Sequence, residues 1–244
     1  MIMYYDLHCH LDLCKNPDIV VGRARKAGVA LMITNGLGPE SNRKALELDK
    51  RYPEVRAALG LYPNDAIKLS ENQLQEELDF IKKERPVAIG EVGLDLHHDK
   101  EHLSEMRSVF SRVIEAAEAI KRPLIVHSRK AEQEVLEMLA SSKVKACLHC
   151  FGGSLKLARA AGDKGYWFSV PASILRSTHF QRLVEEVPLN QILTETDSPW
   201  QSPDEHDNEP GNVPVIVKKI AEIHKLGQDE CAKLLWINCE EFIS

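Results

Sequence analysis

The sequence contains no stretch approaching the roughly 20 uninterrupted apolar residues that a membrane helix needs. Its opening, MIMYYDLHCH, has no basic region of the secretory-signal type and reaches Asp and His almost at once. A cytoplasmic protein with no membrane partner is the expectation. Positive charge is not in excess either. The formal net charge is −6, which excludes a broad basic surface for gripping nucleic acid. A polyanionic substrate would instead be met by bound divalent cations and a few local Arg or Lys side chains, in a brief contact. Cys147 and Cys150 form a CxxC, but a second such pair is missing. With Cys9, Cys14, Cys231 and Cys239 they read as reduced thiols, neither a zinc knuckle nor a disulfide scaffold. A phosphate-binding P-loop, a GxSxG nucleophile elbow, a linker and an internal repeat are also missing.

What is present is 244 residues, 43% hydrophobic and 28% charged, enough for a sizeable globular core. Short β-rich runs alternate with longer helical patterns. Expected strands are Met3–Leu7, Ala30–Asn35, Arg56–Leu61, Val87–Glu91, Leu124–His127, Lys145–His149, Tyr166–Val170 and Gln191–Glu195. Several are near-continuous apolar runs, as strands buried on both faces should be. Between them, Asn16-Pro17 marks a helix start and Ser70 with Gln73 a capping box. Apolar residues recur at three- and four-residue steps across Lys100–Lys121. Gly28, Gly162 and Gly165 punctuate helix ends, and Pro214–Leu226 and Asp229–Phe242 close the chain as helices. Eight strand–helix units predict an α/β fold, a single (β/α)8 TIM barrel over residues 1–244, with a doubly wound open sheet as the competitor.

Placed on that frame, the ligand-type residues fall together. His8 and His10 end strand one, Glu91 strand four, His127 strand five and His149 strand six, while Asp197 lies just past strand eight. C-terminal strand ends are where barrel enzymes carry their active sites. Residues two apart on a strand share a face, so both imidazoles of His8-Cys9-His10 can point to the barrel axis. Glu91 lies in AIGEVGLD, where flanking glycines permit close approach and a carboxylate can bridge two ions. Asp197 can ligate an ion and take a proton from water, which makes it and Glu91 the catalytic candidates. Glu195 is expected to stand behind the ligands.

Other residues compete for attention. His97, His98 and His102 look like a metal tract but fall in a polar loop and helix start, where solvated side chains are expected. His179, His206 and His224 are expected to be exposed. Arg129, in HSR, has the planar fork that suits a phosphate oxygen. Trp200 either stacks a base or covers the barrel mouth. FGGS precedes a helix near Leu155 and offers backbone N–H groups to an anion.

DLHCHLD, AIGEVGLD, PLIVHSRKA, HCFGGS and TETDSP appear in order across nearly the whole chain, and together they resemble the TatD-related hydrolases, a branch of the amidohydrolase-like metal-dependent barrels. The resemblance implies a metal-dependent deoxyribonuclease, mostly magnesium-dependent, with a 3′ exonuclease tendency on single-stranded DNA. It implies that His8, His10, Glu91 and Asp197 hold one metal, and Glu91, His127 and His149 the other. One departure is visible. Many members read GxHP after strand three, whereas this chain reads GLYPND, with Tyr62 in the histidine's place as a substrate-contact candidate. The stretch from His206 to Pro210 matches the family's NxP segment only loosely. The histidine-rich set favours zinc or manganese on softness grounds, against the family's usual magnesium. Two rival functions stay open at this point: an ester or amide hydrolase such as a deacylase of charged tRNA, and a metal-stabilised scaffold without activity.

Overall fold

In a computed structural model that describes residues 3–204 and 207–244, eight parallel strands follow one another around a sheet in chain order. They are β1 (Tyr4–Cys9), β2 (Val29–Asn35), β3 (Val55–Leu59), β4 (Ala88–Asp95), β5 (Leu124–Arg129), β6 (Ala146–His149), β7 (Trp167–Val170) and β8 (Ile192–Thr194). A doubly wound sheet would reverse its strand order at one point. The unbroken order identifies the (β/α)8 barrel. The seam between β8 and β1 is sealed mainly by side chains and loop backbone. Thr194 Oγ1 donates to the Tyr5 carbonyl (2.6 Å), Asp197 N–H to the His8 carbonyl (2.8 Å), and His10 N–H to the Ser198 carbonyl (2.8 Å). Closure leaves no long unpaired strand edge.

The crossovers carry helices α1 (Pro17–Lys26), α2 (Pro39–Arg51), α3 (Pro63–Ala66), α4 (Glu71–Glu84), α5 (Leu103–Ile120), α6 (Glu132–Leu139), α7 (Leu155–Asp163) and α8 (Thr178–Glu186), and α9 (Val213–His224) and α10 (Gln228–Ile243) end the chain. Asn16 caps α1 by accepting from Ile19 N–H (3.3 Å), and the Ser70–Gln73 capping box opens α4. Such a cap is worth about 1 kcal/mol. The inward stripe of α5, with Met106, Phe110, Val113, Ala117 and Ile120, is buried against the sheet. Gly28 (φ 87°) and Gly165 (φ 85°) stand in left-handed turns after helices. Gly162, in contrast, lies inside α7, and its carbonyl accepts from Gln191 Nε2 (2.8 Å).

Most expected strands match to within two residues. The exception is β4, which continues to Asp95, four residues beyond its expected end. The cause is Gly93. Its φ of 135° and the register shift between Ile89 and Val92 let β4 run against β5 so closely that a Cβ there would sit 2.0 Å from the His127 carbonyl oxygen. β1 likewise extends to Cys9, carrying His8 on the strand itself. No helix among the described residues is long and apolar enough to cross a membrane.

Candidate metal centre

The barrel mouth gathers all six expected ligands. Glu91 is at the middle, its side chain buried. Its Oε2 lies 3.4 Å from both His8 Nε2 and His10 Nε2. Its Oε1 lies 2.7 Å from His127 Nδ1 and 3.0 Å from His149 Nε2. Asp197 closes the first pair, with Oδ1 3.5 Å from His8 Nε2 and 3.7 Å from His10 Nε2. Asp197 has a φ of 56°, a left-handed conformation that Asp tolerates better than most residues.

The imidazoles are held in defined orientations. His10 Nδ1 donates to the Asn35 carbonyl at the end of β2 (2.9 Å), which leaves Nε2 as the inward nitrogen. The His8 ring stacks on that of His149 at 4.0 Å between centroids. His149 Nδ1 faces Glu195 Oε2 at 3.6 Å. Glu195 is itself fixed by the Cys150 N–H (2.8 Å) and the Ser169 hydroxyl, so it stands behind the ligands as expected. His127 Nε2 donates to Asp95 Oδ2 (3.0 Å).

Charge balance explains why these residues need one another. Burial would raise the Glu91 carboxyl, but the charge of His149 and hydrogen bonds from His10, His127 and His149 hold it well below the ordinary range. Burial would lower His149, His127 and His10, yet each is raised: His149 by Glu91 and Glu195, His127 by Asp95 and Glu91, His10 by Glu91 and Asp197. His8 goes the other way, to about 4, through burial and the neighbouring His149. Burial pushes Asp197 up to about 7 despite His149 and His10.

The residues fit divalent cations. The inward atoms of His8, His10 and Glu91 lie within 4.8 Å of one another, and so do those of Glu91, His127 and His149. His8 Nε2 and His10 Nε2 approach to 3.1 Å, where two imidazole lone pairs would repel unless a proton or a metal cation lies between them. A third grouping, His8, His149 and Glu195, meets the same distance limit. Both Glu195 oxygens, however, already accept hydrogen bonds.

The remaining candidates sort by position. Arg129 is exposed and lines a cleft of about 380 Å³ with Lys130, Gly152, His179 and Asp197, beside His127 and His149. Trp200 is half exposed and meets the His10 ring edge-on at 5.1 Å. Tyr62 packs against His127, with rings 5.2 Å apart, but its hydroxyl is spent on Asp95 Oδ2 (2.7 Å). Gly152 of FGGS lines the cleft, while Ser154 caps α7. His97, His98 and His102 are exposed, as expected. His179 and His224 are only partly exposed, contrary to expectation, because their Nε2 atoms donate to the Phe151 and Val184 carbonyls (2.9 and 3.0 Å). His206 lies outside the described residues. The six cysteines are free, and none joins a potential ligand group among the described residues.

Three buried polar residues escape a reading of the sequence. Asp95 is one, signalled only by its position at the end of GLD. Asp6 is another: it accepts from His8 N–H and from both the N–H and hydroxyl of Thr196, tying β1 to the loop that carries Asp197, and burial pushes its carboxyl up to about 8. The third is Asn208, whose Nδ2 donates to the Thr196 carbonyl (2.7 Å).

An eight-stranded barrel that converges four histidines and two carboxylates at its strand ends defines a metal-dependent hydrolase. Sequence comparison agrees. The model of the family described as TatD related DNase matches residues 5–244, and the chain belongs to that family. It is 32% identical to an uncharacterized metal-dependent hydrolase of Methanocaldococcus jannaschii, covering 99% of this chain and 97% of that one. It is 34% identical to the human deoxyribonuclease TATDN3 (92% and 89% covered). It is 30% identical to a 3′-5′ ssDNA/RNA exonuclease TatD of Salmonella typhimurium (86% of each). Among solved structures, a TatD homologue of Escherichia coli superposes with a TM-score of 0.91 at 28% identity, over 99% of this chain and 98% of the other.

Proposed function

We propose that the protein is a deoxyribonuclease that removes nucleotides from the 3′ end of single-stranded DNA, using two divalent cations. The observation that carries this reading is the Glu91 carboxylate, with one oxygen facing His8 and His10 and the other facing His127 and His149. In this assignment His8, His10, Glu91 and Asp197 hold one cation, and Glu91, His127 and His149 hold the other. Magnesium, manganese and zinc are the candidates. Such ions supply Lewis acidity at a phosphoryl oxygen and lower the pKa of water.

The side chains do the rest. Asp197, facing His8 and His10 through Oδ1, accepts a proton from the attacking water on its other carboxylate oxygen. The water oxygen bonds to phosphorus as the ester P–O bond breaks, and the leaving oxygen takes up a proton. Arg129 and Lys130, on the cleft wall, steady the oxygens that do not react. Trp200 offers an exposed indole face to a base. The Tyr62 ring borders the site on the His127 side. These local contacts, in a chain of net charge −6, fit a substrate bound transiently. The same reading takes residues 1–244 as one barrel domain working in the cytoplasm, where six free thiols suit a reducing environment.

The cations lining the cleft favour a phosphodiester over the neutral carbonyl of an aminoacyl ester. The test is 5′-labelled single-stranded DNA with each metal, with EDTA, and with Glu91→Gln. A ladder shortening from the 3′ end, abolished by EDTA and by the substitution, is expected. A folded, metal-loaded protein that leaves DNA intact and cleaves aminoacyl esters would overturn the assignment.

A further inference from the structure

Asp95 ends β4 with its carboxylate fully buried. Every acceptor position on it is used. Oδ1 accepts the N–H groups of His97 (2.8 Å) and His98 (3.1 Å). Oδ2 accepts the Tyr62 hydroxyl (2.7 Å) and His127 Nε2–H (3.0 Å). The His98 ring, at 3.9 Å, is beyond hydrogen-bond reach. A carboxylate has about four lone-pair sites, so none remains for an ion or a water. The group is thereby excluded as a ligand or a base. What it controls is its neighbour. An ionised carboxylate only accepts, so once a cation occupies Nδ1 the remaining imidazole proton of His127 sits on Nε2, where Asp95 takes it. The Nδ1 lone pair then faces Glu91 Oε1 at 2.7 Å and His149 Nε2 at 3.2 Å.

We propose that Asp95 is the positioning residue that selects the Nδ1-ligating tautomer of His127, and that the Tyr62 hydroxyl serves the centre by clamping Asp95. This deepens the two-cation reading and rests on it where ion affinity is concerned. It also gives a purpose to the polar tract GLDLHHD: the backbone of His97 and His98, rather than their rings, supports the site. Tyr62 comes from the loop after β3, so the clamp ties three neighbouring strand ends to one imidazole. Losing an outer partner of a metal-binding histidine costs about 10–100-fold in metal affinity.

The informative substitution is Asp95→Asn. Its amide oxygen stays with the two backbone N–H groups, which turns the NH₂ toward Tyr62 and His127. His127 Nε2 must then accept, and the proton moves to Nδ1, the atom meant for the cation. Histidine-¹⁵N-labelled protein would be examined by long-range ¹H–¹⁵N NMR, metal-free at alkaline pH and after Zn²⁺ loading, alongside Zn²⁺ titrations. The Zn²⁺-loaded wild type is expected to carry the His127 proton on Nε2, and the metal-free wild type a larger share of it there than metal-free Asp95→Asn. Asp95→Asn is expected to carry it on Nδ1 when metal-free, and to bind one of two ions about 10–100-fold more weakly while the other is unchanged. Tyr62→Phe keeps the carboxylate and guards against a folding failure of the first variant. It is expected to retain the tautomer and weaken the same ion by less than about tenfold. A wild-type tautomer and wild-type affinities in Asp95→Asn would overturn the assignment of Asp95. Unchanged affinity in Tyr62→Phe would overturn the clamp. Uptake of a single ion by the wild type would instead overturn the two-cation reading, with the shift in metal-free tautomer between wild type and Asp95→Asn still deciding the role of Asp95.

Discussion

On the β1 side of Glu91, no carboxylate is hydrogen-bonded behind either histidine among the described residues. His10 is held by a backbone carbonyl, and His8 Nδ1 has no hydrogen-bond partner among the described residues. On the β5–β6 side, each imidazole faces a carboxylate: His127 is hydrogen-bonded to Asp95 (3.0 Å), while His149 Nδ1 lies 3.6 Å from Glu195, beyond hydrogen-bond reach. The first pair is wholly enclosed, whereas His127 opens on the cleft. A carboxylate behind an imidazole raises its basicity, which strengthens it as a ligand but also makes protons stronger competitors. The candidate centre therefore joins an enclosed half, anchored to the barrel wall, to a half with carboxylates behind its imidazoles that opens on the cleft.

Removing the shared element should erase the distinction. Glu91→Gln is expected to lower kcat/KM by more than about 10³-fold, beyond the loss of a single transition-state donor, and to weaken both ions together. Activity assays and metal titration would check this; loss of one ion alone would show that the halves do not share the carboxylate. Next in size is Asp197→Asn, which keeps a residue that tolerates the left-handed backbone but removes the proton acceptor. A fall in kcat of about 10²–10³-fold with an unchanged melting temperature is expected. A normal kcat would move the base elsewhere.

The pH response should separate single ligands rather than halves. A ligand nitrogen binds metal only when deprotonated, so a raised pKa means that acid displaces the ion at a higher pH. His127 and His149 are both raised, whereas on the other side His10 is raised and His8 is lowered to about 4. Asp197, on the same side as His10, is raised to about 7, so from about pH 8 to about pH 5 each ion is expected to release with a slope near two protons, through His127 and His149 on one side and His10 and Asp197 on the other. A β1 slope near three in calorimetric titrations would show that His8 titrates together with its neighbours, against its lowering to about 4. The smallest expected effect is at the rim. Trp200→Ala removes an exposed stacking face worth about 1–3 kcal/mol per base, so KM for single-stranded DNA should rise about tenfold with kcat little changed. A kcat effect would show that Trp200 acts through the His10 ring it touches.

Much of this site is legible in the chain, for a local reason. Strand ends can be placed from apolar runs and their punctuation, and a residue at a C-terminal strand end must face the barrel mouth. His8, His10, Glu91, His127, His149 and Asp197 are found that way, and the two-residue step of HCH decides that both rings share a face. Gly93 shows the limit. The glycines flanking Glu91 announce a close approach, but not that Gly93 lets β4 pass close to β5 and carry Asp95 to the same mouth.

The amino-acid sequence by itself determined the barrel, the candidate ligands gathered at its mouth and the family, because periodicity and motif order are properties of neighbouring residues. Only the tertiary structure decided which nitrogen of each histidine points inward and what holds it there. Tyr62 reaches Asp95 across 33 residues, Asp95 reaches His127 across 32, and Asp6 reaches Thr196 across 190. Those pairings depend on strand register and on closure of the β8–β1 seam. A buried carboxylate takes its partners from whatever donors that closure brings within hydrogen-bond reach.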